Sequence, residues 1–296
     1  MTALPGPALV VGGGTMGTGI AARLVATGTD TVVLVRRETA IAAARAEVTR
    51  RLASLTRYHL VGNREHGRLT VRTGEPAARF ILAVESVAED PQVKRSVLAI
   101  AEKLVVPGGI VATNTSSLPL ASLAEGLTRP ELFAGWHWFN PAELVPLVEV
   151  VGGPRTAPQT LDRLAAWSAA AGKEPVRVRR DVPGFIANRL QYALLREAYA
   201  LVEAGVCDVA DVDRAVVSGL GARWASIGPF TSMDAAGLDV HETVTARLFP
   251  ELSNATSVPG LLRHAREHGA RLSGAWSPEA AARRDDVLAL LSRAVP

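Results

Sequence analysis

The sequence predicts an α/β chain: a doubly wound, mostly parallel sheet followed by an all-α C-terminal domain. Three observations lead there. A glycine-rich turn sits between an apolar strand and a helical pattern close to the N-terminal end. Short apolar runs then alternate with helical patterns as far as residue 178. Past Asp181-Val182-Pro183-Gly184 the apolar residues recur at three and four positions instead, and no convincing strand follows.

Ala8–Val11 reads as a short buried strand and Thr15–Ala26 as a helix, so Gly12-Gly13-Gly14-Thr15-Met16-Gly17 falls where the chain must turn. Gly12 permits the turn, Gly14 lets backbone approach a pyrophosphate, and Gly17 lets the helix pack closely on the strand. The helix N-terminus, opened by Thr15 and Met16, offers unpaired N–H groups to phosphates. With a second strand at Thr31–Val35 this is a whole βαβ unit of Rossmann type, which predicts a bound dinucleotide. Further strands are expected at Leu69–Arg72, Phe80–Val84, Ile110–Thr113, Leu132–Gly135, Leu147–Val151 and Val176–Val178. Helices are expected at Thr39–Leu55 and Gln92–Val105, the second stopped by Pro107-Gly108-Gly109. Phe185, Ile186, Leu190, Ala193, Leu194, Ala198 and Leu201 then form the face of one long amphipathic helix. The expected division is a nucleotide-binding domain over 1–182 and a helical domain over 183–296.

Composition agrees with a soluble globular chain of 296 residues, 48% of them hydrophobic and 21% charged. The 32 basic and 29 acidic residues are interspersed, so the net charge of +3 describes a mildly basic surface without a stripe for nucleic acid. Only three of the basic residues are lysines, Lys94, Lys103 and Lys173. The single cysteine, Cys207, excludes an internal disulfide and suits a reducing compartment. No apolar run approaches the roughly 18 residues of a membrane span, and no signal-like segment opens the chain. A cytoplasmic protein is expected, with a small-molecule partner, no nucleic acid, no membrane span and no metal.

Two polar residues stand where the pattern asks for apolar ones. His137 lies in the aromatic run Phe133-Ala134-Gly135-Trp136-His137-Trp138-Phe139, and Glu149 is the one acid in Leu147-Val148-Glu149-Val150-Val151. A lone carboxylate in an interior strand is costly without a partner, so Glu149 is expected to pair with His137. Such a pair makes a general base, because the carboxylate fixes the tautomer and raises the basicity of the second ring nitrogen. The alternative is a structural histidine and an edge-strand charge; the dinucleotide turn favours the first reading.

Several blocks occur in one order along the chain: the Gly12–Ala21 turn, Glu85-Ser86-Val87-Ala88-Glu89, Lys94, Asn114-Thr115-Ser116-Ser117-Leu118, His137 to Pro141, Leu147-Val148-Glu149-Val150, and Asp181 to Leu190. Gly228-Pro229-Phe230, Asp234 and Gly237-Leu238-Asp239 extend them. In these blocks the chain resembles the 3-hydroxyacyl-CoA dehydrogenase family. The resemblance implies an oxidoreductase of fatty acid metabolism, a homodimer through the helical domain, and hydride transfer between a nicotinamide cofactor and the 3-hydroxyl of a 3-hydroxyacyl thioester. It makes His137 the base and Glu149 its orienting partner, and it puts Ser116 and Asn188 on the substrate's reacting oxygen with Asn140 shaping the pocket. Glu89, Lys94 and Asn114 would lie beside the cofactor, Lys94 also reaching the substrate. Plainer readings exist: Ser116 and Ser117 as a cap for the helix after Pro119, and Lys94 as a surface lysine. Asn188, inside a predicted helix, is better explained by a polar role.

The sequence leaves the family pattern in two places. Where an acid at the end of the second strand would hold the adenosine ribose, Arg36 and Arg37 stand, which suits a 2′-phosphate and favours NADP(H) over NAD(H). Glu38 is near enough to serve NAD(H) instead. Leu272–Pro296 lacks a glycine- and aromatic-rich ending, and Gly219 to Trp224 is similar to the branch of lambda-crystallin, L-gulonate dehydrogenase and carnitine dehydrogenase. A small free 3-hydroxy acid, with Arg223 as its anchor, is therefore an alternative substrate, as is an acyl-carrier-protein thioester. A noncatalytic nucleotide-binding protein is disfavoured by the presence of His137, Glu149, Ser116 and Asn188 together.

Overall fold

β1 (Ala8–Val11) is flanked on both sides by parallel strands, and three of its four residues have no exposed surface, which is why it reads as a continuous apolar run. The computed structural model describes residues 4–61 and 65–294. After β1 come α1 (Thr15–Ala26), β2 (Thr31–Leu34), α2 (Ile41–Arg57), β3 (Leu69–Arg72), β4 (Phe80–Glu85), α3 (Pro91–Leu104), β5 (Val105–Thr113), α4 (Leu120–Leu123), β6 (Phe133–Trp138), β7 (Leu147–Gly152), α5 (Pro158–Ala170) and β8 (Glu174–Val178). The eight strands lie in the order β3-β2-β1-β4-β5-β6-β7-β8, with every pair parallel except β6 and β7. The fold is the expected α/β Rossmann-type sheet followed by helices.

Strand order reverses between β1 and β4, so the crevice at their carboxyl ends is the natural ligand site of such a sheet. Four segments leave the sheet on that edge: the glycine turn after β1, Ser86–Glu89 after β4, Asn114–Ser117 after β5, and His137 with Trp138 at the end of β6. The core lies on both faces. One apolar cluster gathers Val10, Ile20, Leu24, Val84, Trp136 and Leu164, and the other Leu9, Phe80, Leu98, Leu104, Leu123 and Phe185.

Local chemistry sets the element ends. Asp90 caps α3, accepting from the amides of Gln92 and Val93 at 2.9 Å, and Pro91 supplies the first helical residue. The Pro107-Gly108-Gly109 stop expected after that helix lies inside β5 instead. Phe80 pairs with Val105 and Leu82 with Ile110, so the punctuating residues bulge out of a strand that had already begun. The helix expected from Phe185 begins at Ala187, because Gly184 and Phe185 both have left-handed backbones, with φ of 79° and 48°.

The second half is helical: α6 (Ala187–Glu203), α7 (Val209–Ala215), a π-helical turn at Val216–Gly221, α8 (Ala222–Trp224), α9 (Pro229–Ala236), α10 (Leu238–Leu248), α11 (Gly260–Glu267) and α12 (Pro278–Ala294). The chain divides into two compact units, one of residues up to Ile186 together with Arg283 onward, the other of Ala187–Ala282. This differs from the expected 1–182 and 183–296 in its C-terminal helix. From Arg283 on, α12 belongs with the sheet unit: Asp286 accepts from the Tyr58 hydroxyl at 2.7 Å, Arg293 donates to the Tyr58 carbonyl, and Leu288 packs on Ala26, Leu55 and Leu144. A helical pattern read from sequence carries no sign of which unit it returns to.

Candidate active site

The glycine turn has the shape a dinucleotide needs. A Cβ on Gly12, whose φ is 124°, would stand 2.2 Å from the Ser86 carbonyl oxygen, and one on Gly17 would stand 2.0 Å from that of Gly12. Over Gly14 there is open space, and Gly14 opens α1 without a side-chain cap or an acid in the first turn. The amides that begin α1, Thr15 and Met16 among them, thus face a space that suits a diphosphate. At the far end of β2, Arg36, Arg37 and Glu38 are exposed.

His137 and Glu149 are direct partners across the antiparallel β6–β7 pair, so their side chains leave the sheet on one face. Nδ1 of His137 lies 2.8 Å from Oε2 of Glu149, with the residues 5% and 1% exposed. A carboxylate only accepts, so Nδ1 carries the hydrogen and Nε2 is left as the basic nitrogen. Oε1 of Glu149 accepts the Ile186 amide at 2.9 Å. The connection between the two strands is held from three sides. Arg51 donates to the Glu143 carboxylate at 2.5 Å, Lys173 Nζ to the carbonyls of Glu143 and Val145 at 3.1 and 2.7 Å, and Ser292 Oγ to that of Leu144 at 2.5 Å. Burial pushes the Lys173 ammonium well below the usual lysine range, Arg23 adds to this and Glu143 opposes it.

A second polar group lies at the ends of β4 and β5. Glu85, with no exposed surface, accepts from Lys94 Nζ at 2.8 and 3.0 Å, from Thr113 Oγ1 at 2.6 Å and from the Val87 amide at 2.7 Å. Lys94 also reaches Glu89 at 3.1 Å. Glu89 Oε1 accepts from Thr115 Oγ1 at 2.5 Å and from the amides of Ser116 and Ser117 at 2.9 and 3.2 Å. Burial raises the Glu89 pKa, but the Thr115 hydroxyl, the Lys94 charge and the Ser116 amide outweigh it and bring it to about 2.

The expected site residues therefore divide. Gly12, Gly14, Gly17, Glu89, Asn114, Ser116, His137 and Asn140 lie along the carboxyl edge of the sheet, and Glu149 joins them through the register of β7. Asn114 Oδ1 accepts the Trp138 amide at 2.8 Å, tying the end of β5 to the residue after His137. Ser116 and Ser117 do not cap α4, whose N-cap is Pro119; both turn toward Glu89. Asn140 is exposed just beyond β6. Asn188 lies in the first turn of α6, in the other unit, where asparagine costs a helix little. Lys94 is corrected: at 1% exposure, with its ammonium between two carboxylates, it is neither a surface lysine nor a charge held out to substrate. Sequence reasoning gave no site role to Glu85, Thr113, Thr115, Phe185 or Ile186, the last two of which it placed on a helix face. The signal for the first was available, since Glu85 ends an apolar strand much as Glu149 interrupts one.

The model of the 3-hydroxyacyl-CoA dehydrogenase NAD binding domain matches residues 8–182, and that of the 3-hydroxyacyl-CoA dehydrogenase C-terminal domain matches residues 184–271. The chain belongs to the 3-hydroxyacyl-CoA dehydrogenase family. Among its relatives is 5-formyl-3-hydroxy-2-methylpyridine 4-carboxylate 5-dehydrogenase of Mesorhizobium japonicum, 38% identical over 257 residues, covering 84% of this chain and 82% of that protein. L-carnitine dehydrogenase of Streptomyces griseus is 38% identical over 229 residues, covering 77% and 68%. A crystal structure of a 5-formyl-3-hydroxy-2-methylpyridine 4-carboxylic acid 5-dehydrogenase, described as an NAD+ dependent dismutase, superposes with a TM-score of 0.90 over 98% of both chains at 32% identity. As a member of this family the chain is a nicotinamide-dependent oxidoreductase acting on CH–OH groups. Among the described residues no helix is long and apolar enough to cross a membrane.

Proposed function

We propose that the chain transfers a hydride between NADP(H) and the 3-hydroxyl of a 3-hydroxyacyl thioester, with His137 as base and Glu149 as its orienting acid. The observation that carries this is the buried 2.8 Å contact of those two side chains at the carboxyl edge of a dinucleotide-binding sheet. When bound, the nicotinamide ring accepts or donates the hydride. In the oxidising direction Nε2 of His137 takes the hydroxyl proton as the carbinol carbon gives up its hydride, leaving a ketone. In the reducing direction the imidazolium returns that proton to the oxygen. Glu149 offsets the positive charge that forms on the ring, and Ser116 and Asn188 hydrogen-bond the reacting oxygen.

Arg36 and Arg37, exposed at the end of β2 and without an ion pair among the described residues, support NADP(H). NADPH should bind more tightly than NADH at moderate salt, and Arg36→Ala with Arg37→Ala should weaken NADPH by about tenfold or more while sparing NADH. Tighter binding of NADH by the unaltered protein would reverse the assignment. The helical unit supports a substrate-binding and dimerising role, because Leu190, Tyr192, Val217, Phe230, Leu238 and Phe249 are all exposed at 64% or more. Sedimentation at the mass of one chain would exclude the dimer.

A second reading, a small free carboxylate substrate, is favoured by the likeness over 98% of the chain to an enzyme named for a pyridine carboxylic acid. Arg223, exposed beside the π-helical turn, would anchor the carboxylate. One experiment separates the readings: absorbance assays with acetoacetyl-CoA, 3-hydroxybutyrate, gulonate and carnitine, each with both nicotinamide cofactors. Turnover of acetoacetyl-CoA supports the thioester; turnover of a free acid alone transfers the assignment to the second reading.

A further inference from the structure

We propose that Phe185 and the backbone amide of Ile186 form a positioning element for the His137–Glu149 pair, an inference that rests on the reading of His137 as the base. The segment leading from β8 to α6 is built as a device rather than a tether. Phe185 N–H donates to the Val182 carbonyl at 3.0 Å, with Pro183 second and Gly184 third in the turn, and Gly184 has φ of 79°. That is a type II turn with the residues it favours. Phe185 then remains left-handed, with φ of 48°, a conformation that a bulky residue rarely takes. Such backbone strain persists only where the surroundings hold it. The start of the segment is held by Asp181, whose Oδ2 accepts the Leu120 amide at 2.6 Å, and its end by Ile186, whose amide donates to Glu149 Oε1 at 2.9 Å.

The strained residue delivers two contacts at once. Its ring, 2% exposed, meets the His137 ring edge-on at 5.5 Å and 62°. Phe139 meets the same imidazole at 4.4 Å and 61°. The next amide occupies the Glu149 oxygen that His137 does not use. The imidazole is therefore bounded by two aromatic rings and a carboxylate, and that carboxylate is itself fixed by the same turn. An acid free to rotate, or a ring free to tip, would lose the Nδ1–H tautomer that leaves Nε2 basic. Filling the core explains the burial of Phe185, which packs in the second apolar cluster, but does not require the left-handed backbone or the amide on Glu149.

The test uses Phe185→Met, which keeps a buried apolar side chain without the ring, and Phe185→Gly, which keeps the backbone conformation without the ring. Cofactor affinity and thermal midpoint report folding; kcat with acetoacetyl-CoA or whichever compound turns over reports chemistry. Ring ¹⁵N shifts of His137 report the tautomer without any substrate. Both variants should lose at least about tenfold in kcat, the scale expected for a misplaced catalytic group, with cofactor affinity within about twofold. Their His137 signals should show a mixture of tautomers where the unaltered protein shows Nδ1–H. If Phe185→Gly fails to fold, Phe185→Met carries the test alone. Should Phe185→Met keep kcat within twofold and unchanged ring shifts while His137→Ala is inactive, Phe185 is only core filling and the base assignment survives. Should His137→Ala itself remain active, the base assignment fails first.

Discussion

His137→Ala is expected to lower kcat by about a hundredfold or more, the size of a lost general base, which corresponds to about 2.7 kcal/mol of transition-state stabilisation. Cofactor affinity should stay within about twofold, because the glycine turn that suits the diphosphate follows β1, while His137 lies in β6, one residue before its end. The alanine variant carries a second consequence. Glu149, 1% exposed, loses the hydrogen bond from the imidazole and keeps that of the Ile186 amide on Oε1. A buried carboxylate that loses a donor destabilises the fold, so part of any activity loss would reflect unfolding. His137→Asn separates the two effects, since its amide can still donate toward Glu149 but cannot accept a proton. The asparagine variant should match alanine in lost kcat and exceed it in thermal midpoint. Single-turnover absorbance changes and a melting curve on each variant decide the matter, and a rate within threefold of the unaltered protein in either would take His137 out of the chemistry.

Lys94→Met should cost about 3–5 kcal/mol of stability, the range for breaking a buried ion pair by deleting one member. The reason is Glu85, which has no exposed surface and takes two of its hydrogen bonds from Lys94. Methionine leaves that carboxylate with Thr113 and one amide. Adding Glu85→Gln to the same chain should recover part of the loss, which a simple packing defect would not do. Glu89 gives the effect a pH dependence. Its pKa of about 2 lies below the ordinary 4.5, so its contribution is complete above about 4.5 and is lost as pH falls toward 2. The share of the Lys94→Met penalty that passes through Glu89 should shrink over that window. Urea unfolding at pH 7 and at pH 3 measures both, and a penalty under about 1 kcal/mol at pH 7 would mean the pair is not what holds this loop.

Of the three lysines of the chain, two are buried: Lys94 and Lys173 are 1% and 2% exposed, each tying down a loop that leads to or from a site strand. Lys94 clamps the residues after β4, where Glu89 in turn holds Thr115 to Ser117 after β5, and Lys173 clamps the connection between β6 and β7. A compact ammonium fits such spaces, but sequence does not distinguish a buried donor from a presented one. The bulge at Pro107-Gly108-Gly109 has the same origin, since those residues punctuate a chain whether it is in a loop or leaving a ladder.

By itself the sequence determined the order of the eight strands with the first three helices of the sheet unit, the dinucleotide turn, and the two polar residues standing in apolar strands. Those follow from local rules: periodicity, glycine at a crowded turn, and the cost of an unpaired buried charge. Tertiary structure alone decided the rest. The expected pairing of Glu149 with His137 gets its geometry from the antiparallel register, which sets the two directly opposite each other. The fold also brings Lys94 under two carboxylates, returns α12 to the sheet unit, and bends residues 181–186 so that a strained phenylalanine meets the histidine. Each of these depends on which distant groups meet, and a pattern read along one strand or helix contains a face but not its partner.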